Sequence, residues 1–149
     1  MALWAVNEGA RGAVSHGCAE AGESFLAELR PVAAEISAAR PTAVNLMWAT
    51  ARMESLAKRL VAEGAAPGEV ADFLFGEVLR IEREDEAVNR AIGAAGAALV
   101  PESARILTHC NAGSLATVFF GTALGVVYAA AEQGKIERVF ADETRPVGQ

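Results

Sequence analysis

Over the first hundred positions, apolar residues recur with the period of a helix. Leu46, Ala49, Met53, Leu56 and Leu60 follow one another at three- and four-residue steps, which lays one apolar stripe along a helix. Lys58, Arg59 and Glu63 fall off that stripe, and Gly64 and Pro67 end the segment. Upstream, the alanine-rich residues 19–29 suit a helix, and Pro31 is expected to break it or to begin the next. A third helix is expected from about Gly68, with Val70, Leu74, Val78 and Ile81 on one side. The charged run 82–86 reads as a solvated face. Val88, Ile92, Ala95 and Leu99 then resume the stripe until Pro101 stops it.

Beyond Pro101 the pattern changes. Residues 104–110 form a short β-like run, 111–113 a turn, and 115–133 an apolar stretch of helix length with Gly134 as its stop. Residues 137–142 form a second β-like run. Strand, helix and strand in this order predict a βαβ unit with parallel strands and a right-handed crossover. The expected fold class is α/β. A helical domain spans residues 1–100, and residues 101–149 are the first βαβ unit of a Rossmann-like parallel-sheet domain, truncated. Parallel sheets are normally broader and covered on both faces. A second chain or a longer protein is therefore expected to supply the missing strands.

Composition narrows the function classes. Hydrophobic residues make up 52% of the 149, enough for a packed core. A net charge of −6 argues against a nucleic-acid binder, which would present a basic face. It leaves room for a small phosphorylated ligand, which needs only an arginine or two and a helix end. No apolar run reaches the ~20 residues of a membrane span, and the first residues lack the basic flank of a leader. A cytoplasmic protein without a membrane partner is expected. Cys18 and Cys110 match no zinc or redox spacing, so neither a metal nor a disulfide framework is expected.

The chemistry-bearing residues are few. Cys110 falls at the carboxyl end of the first predicted strand, where open α/β sheets place ligands and where nearby helix amides favour a thiolate. By position alone the plainer reading, a small apolar residue filling the strand end, is favoured. Arg40 precedes Pro41-Thr42 and a long helix, a good position for an anion clamp. Arg11-Gly12-Ala13 is a weaker phosphate candidate, since Arg-Gly pairs are common. His16 and His109 read as structural histidines. Asp142, Glu143 and Arg145 share the predicted strand edge with Cys110, where the carboxylates are either catalytic or, the favoured reading, pair with Arg145. Gln149, by position alone, is a terminal residue.

Several stretches together resemble one family. They are Arg40-Pro-Thr-Ala-Val-Asn-Leu-Met-Trp-Ala49, Asn89-Arg-Ala-Ile-Gly93 with Gly96-Ala-Ala, and Ile106-Leu-Thr-His-Cys-Asn-Ala-Gly113 leading to Gly121-Thr-Ala-Leu-Gly-Val126. Glu132-Gln-Gly-Lys135 and Ala141-Asp-Glu-Thr-Arg-Pro146 complete the set. In this order they resemble the methylthioribose-1-phosphate isomerase family, with its sister ribose-1,5-bisphosphate isomerases and the regulatory subunits of translation initiation factor 2B. The resemblance is dense from Arg40 to Gln149 and thin before.

The resemblance implies an aldose–ketose isomerase of methionine salvage, converting 5-methylthioribose 1-phosphate to 5-methylthioribulose 1-phosphate. Cys110 is then catalytic, and Arg40, Gln149 and Arg11-Gly12-Ala13 contact substrate, with no cofactor and no metal. Val14-Ser-His16 departs from the family's proline-containing stretch at that point, which weakens the Arg11 match. The family's second catalytic group, an aspartate in a Gly-Ala-Asp-Arg-type motif, has no counterpart here, so these residues alone are expected to be inactive. The expected partners are a small phosphorylated sugar and a second copy in a homodimer, or a chain supplying the missing half. Alternatives are a sister isomerase acting on ribose 1,5-bisphosphate or 5-deoxyribose 1-phosphate, and a non-catalytic regulatory module like the initiation-factor subunits.

Overall fold

The computed structural model describes residues 18–40, 42 and 44–142. Three helices come first: α1 (Cys18–Ala38), α2 (Val44–Ala62) and α3 (Pro67–Ala97). Strand β1 (Ala104–Thr108), a short 3-10 turn (Ser114–Ala116), helix α4 (Ala123–Glu132) and strand β2 (Ile136–Ala141) follow. The α/β class and the change from helix to strand after Pro101 are as the sequence predicts. Contacts divide the chain into two compact units, Met1–Ile81 and Glu82–Gln149, so the division falls within α3.

The first unit is built on large side chains. Phe25, Leu26 and Leu29 of α1 meet Met53, Ala57 and Leu60 of α2 and Val70, Ala71 and Leu74 of α3. The α2 stripe is the predicted one: Met53 and Leu60 are buried, Leu46, Ala49 and Leu56 are half-buried, and Lys58, Arg59 and Glu63 are exposed. Pro31 does not break α1, which runs through it. Its ring lies on the exposed face, as does Ala27, whose carbonyl loses its helical partner to the proline, while Leu29 and Ala33 stay buried on the other. Gly22 admits α2 closely, because a Cβ there would stand 2.8 Å from Val61 Cγ1.

Helix ends follow local rules. Gly64 at φ +87° closes α2, with its own N–H donating to Val61 and that of Ala65 donating to Leu60. Pro67 then opens α3, and the Glu69 carboxylate accepts the Ala66 N–H at 2.9 Å. On α3 the buried face differs from the predicted one. Glu77 takes the inward position and Val78 is exposed. The later stripe is also displaced: Val88, Ile92 and Leu99 are exposed, and Asn89, Gly93 and Ala97 are buried in their place. Small and amide side chains at four-residue steps thus define that face.

The second unit holds a parallel sheet of order β1-β2, with Thr108 opposite Ala141 at its carboxyl end. The apolar stretch 115–133 is not one helix. Only Ala123–Glu132 is α-helical, because the chain first passes through the 3-10 turn and a bend over 117–120. The core here is small: Ala97, Ala129 and Ala130, with Val100, Phe120 and Ile136 packed on it. Gly134, at φ +72°, ends α4 as predicted. Among the described residues no helix is long and apolar enough to cross a membrane.

Candidate functional site

The chain leaves β1 at Thr108, and its next three residues build the edge of the sheet. Thr108 carbonyl accepts the Asp142 N–H at 3.3 Å, the last backbone link between the strands among the described residues. His109 Nδ1 and Asp142 Oδ2 stand 2.9 Å apart across the same edge. Cys110 follows with φ +71°, in the left-handed region that side chains other than glycine rarely occupy, and it is an exposed free thiol. β1 is therefore two residues shorter than expected, and Cys110 stands past the strand. Such non-glycine positions persist only where surrounding contacts fix them, and they cluster at working sites.

Those contacts come from both sides of the turn. Downstream, Ala112 carbonyl accepts the N–H groups of Thr122 at 3.1 Å and Leu124 at 3.3 Å. Amides at the start of α4 are thereby directed at the turn that carries the thiol. Closure of the loop requires glycine. Gly121 has φ +87°, and a Cβ on it would meet Gly113 Cα at 2.7 Å and Ala112 O at 2.9 Å.

The later half of α3 supports the loop from behind. Asp85 Oδ2 accepts the Val118 N–H at 2.8 Å and receives Asn89 Nδ2 at 3.1 Å. Asn89 is buried and also donates to the Asp85 carbonyl at 2.8 Å. Arg90 pairs with Glu86 at 2.9 Å and spreads its guanidinium over the rings of Phe119 and Phe120, 5.3 and 5.0 Å from their centroids. Gly93 allows the approach, since a Cβ there would lie 2.9 Å from Gly125 O. The charged run 82–86 is therefore not wholly solvated: Asp85 and Glu86 are half-buried and bonded. The signal for this was the spacing of Asn89, Gly93 and Ala97, whose small or amide side chains leave room for a loop.

Of the predicted site residues, Cys110 is at the sheet edge as expected. Asp142 is there too, bonded to His109; its expected partner Arg145 lies outside the described residues. Arg40 is exposed in the bend between α1 and α2, within the first unit. Arg11, Gly12, Ala13 and Gln149 lie outside the described residues, as do His16 and Glu143. Among the described residues no three His, Cys, Asp or Glu side chains converge as metal ligands would.

Helices leading into a parallel βαβ unit, with an exposed thiol in a left-handed turn past its first strand, define an α/β protein that carries this thiol at the strand ends, the edge where open parallel sheets place ligands. The chain belongs to the initiation factor 2 subunit family, whose profile matches residues 5–149. It is 54% identical over 130 residues to a methylthioribose-1-phosphate isomerase of Geobacter metallireducens, covering 86% of this chain and 36% of that protein. It is 52% identical over 128 residues to the enzyme of the same name from Syntrophotalea carbinolica, covering 86% of this chain and 37% of that protein. The crystal structure of 5-methylthioribose 1-phosphate isomerase from Pyrococcus horikoshii superposes with a TM-score of 0.77 at 33% identity, over 97% of this chain and 38% of that one. Translation initiation factor eIF-2B subunit delta from A. fulgidus gives a TM-score of 0.66 at 40% identity, over 95% of this chain and 42% of that one. The chain thus spans little more than a third of the length of the curated relatives it matches.

Proposed function

We propose that the chain forms the thiol-bearing part of an aldose–ketose isomerase acting on 5-methylthioribose 1-phosphate. The observation that carries this reading is Cys110, an exposed thiol in a left-handed turn at the carboxyl end of β1, in a chain half identical to enzymes of that name. In this substrate the anomeric oxygen carries phosphate, so the sugar ring cannot open in the ordinary way. The enzyme has to assist ring opening and then move hydrogen between C2 and C1. Cys110 Sγ shares that acid–base work with an aspartate that no residue of 1–149 matches. Arg40 holds the phosphate, joined by Arg11-Gly12-Ala13 and Gln149, and the working protein is a homodimer or is completed by a second chain.

The 40% identity to the eIF-2B delta subunit supports a second reading, a non-catalytic module that binds a phosphorylated sugar without turning it over. One experiment separates the two from neither. 5-Methylthioribose 1-phosphate should protect Cys110 from alkylation, and Arg40→Ala should weaken that protection by the worth of a charged hydrogen bond, about 1.5–3 kcal/mol or ten- to a hundredfold in Kd. Absence of protection at millimolar substrate overturns both. Turnover by a protein that joins residues 1–149 to the remaining length of the Geobacter metallireducens relative, lost in Cys110→Ser, decides for the isomerase.

A further inference from the structure

The left-handed turn at Cys110 needs something to fix it on its upstream side. Downstream, Ala112 is tied by two amides near the start of α4. Upstream, among the described residues, the parallel ladder ends at Thr108 and Ala141, and one long bond from Asp142 N to Thr108 O extends it. Such a frayed end would let residues 109 and 110 continue as extended strand. What spans the gap is the His109–Asp142 side-chain hydrogen bond at 2.9 Å, which joins the residue after β1 to the residue after β2. Both side chains are well exposed, at 78% and 48%, so little burial accounts for the pair. Arg105 over Phe140 is a second cross-strand contact, but it lies within the strands and leaves the end free.

We propose that His109 and Asp142 are positioning residues for Cys110. Their hydrogen bond clamps the carboxyl ends of the two strands and holds the backbone where it must turn into the left-handed region, presenting the thiol beyond the sheet. A carboxylate can only accept, so in this arrangement His109 Nδ1–H donates to Asp142 Oδ2. The inference rests on the reading of Cys110 as the working thiol. Its test uses no substrate, so its failure is distinct from failure of that reading.

The experiment measures the alkylation rate of Cys110 by iodoacetamide, with Cys18 as the internal reference, quantified on the two peptides. It is run at a pH high enough to ionise the thiol in every variant, so that differences report placement and not charge. His109→Ala and Asp142→Ala should each slow Cys110 by roughly two- to tenfold, the worth of one side-chain hydrogen bond. The double variant should be no slower than either single one, and His109→Asn, which keeps an N–H near the Nδ1 position, should restore the rate. A two-bond proton–nitrogen spectrum of the unmodified chain should show the Nδ1–H form of His109, lost in Asp142→Ala. Single variants within twofold of the parent, additive effects in the double variant, or an Nε2–H form in the parent would each overturn the proposal.

Discussion

The two units of this chain are held together by opposite means. The helical unit is filled by Phe25, Leu29, Met53, Leu60 and Leu74, large side chains that fit between helices. The strand unit has a core of Ala97, Ala129 and Ala130, and its elements approach through Gly93, Gly113, Gly121 and Gly125. Large apolar burial stabilises; close backbone approach fixes geometry. The candidate thiol belongs to the second kind of structure. Where Cys110 must be held at an unfavourable φ, the surroundings are hydrogen bonds, glycines and short loops.

The strongest test of that contrast is a core truncation. Leu29 is 1% exposed at the centre of the helical core. Leu29→Ala should destabilise α1 and α2 by about 2–5 kcal/mol, the range for deleting a buried leucine and leaving a cavity. Denaturant titration read on helix α1 amides checks it. A loss below about 1 kcal/mol would mean that the helical unit does not depend on this core.

In the strand unit the sensitive position is a glycine. Gly121→Ala puts a Cβ against Gly113 backbone 2.7 Å away, at a φ of +87°. Backbone cannot swing aside as a side chain can, so a loss of about 1–3 kcal/mol is expected, with loop 110–122 displaced. Thermal melting and Cys110 alkylation should both change. A stable protein with unaltered thiol reactivity would show that loop closure does not set the thiol.

The contrast between the units explains which features the sequence made legible. The α2 stripe, the glycine stops at Gly64 and Gly134 and the βαβ order are local patterns, and the structure has all of them. Pro31 misled because the burial of Leu29 and Ala33 on the opposite face carries the helix through the hydrogen bond that the proline forfeits. The 115–133 stretch misled because its apolar residues, such as Phe120, contact Gly93 and Gly125 across a loop, a tertiary fact with no periodicity. Cys110 was legible from its place after a strand and before a turn. The His109–Asp142 pair was not, since 33 residues separate its members and either alone reads as an ordinary surface residue.

A smaller effect tests the charge in the helical unit. Glu77, 6% exposed, accepts from Arg52 Nε at 2.5 Å and from Arg80. Burial alone would raise its pKa, but the hydrogen bonds from Arg52 and Arg80 outweigh it and hold the carboxyl below its ordinary value. A depressed folded pKa adds stability that is complete above the unfolded value, about 4.3, and is lost as pH falls below it. Because Arg80 is more than half exposed, the contribution is discounted to about 1 kcal/mol. Glu77→Gln should remove that much stability at pH 7 and flatten the decline below about pH 4.3. An unchanged acid limb would assign the decline to other carboxylates.

The smallest expected effect is at the thiol itself, and it has the most to say about the comparison. Cys110 occupies φ +71° without being glycine. The left-handed region costs an ordinary residue about 1–2 kcal/mol, because Cβ crowds the following carbonyl oxygen. Cys110→Gly removes that strain but adds freedom to the unfolded chain worth about 0.4–1 kcal/mol. The balance is a neutral or slightly stabilising change, within about 1 kcal/mol. Cys110→Val should go the other way and by more, since a β-branched side chain tolerates this φ poorly. The expected order of melting temperature is therefore glycine at or above cysteine, with valine lowest. Were the strand unit organised for stability like the helical one, an exposed, strained residue would gain nothing as cysteine, and that order shows its thiol to be retained at some cost. A melting temperature that falls in Cys110→Gly as far as in Cys110→Val would instead make the side chain a packing element, and the distinction drawn between the two units would fail at its central residue.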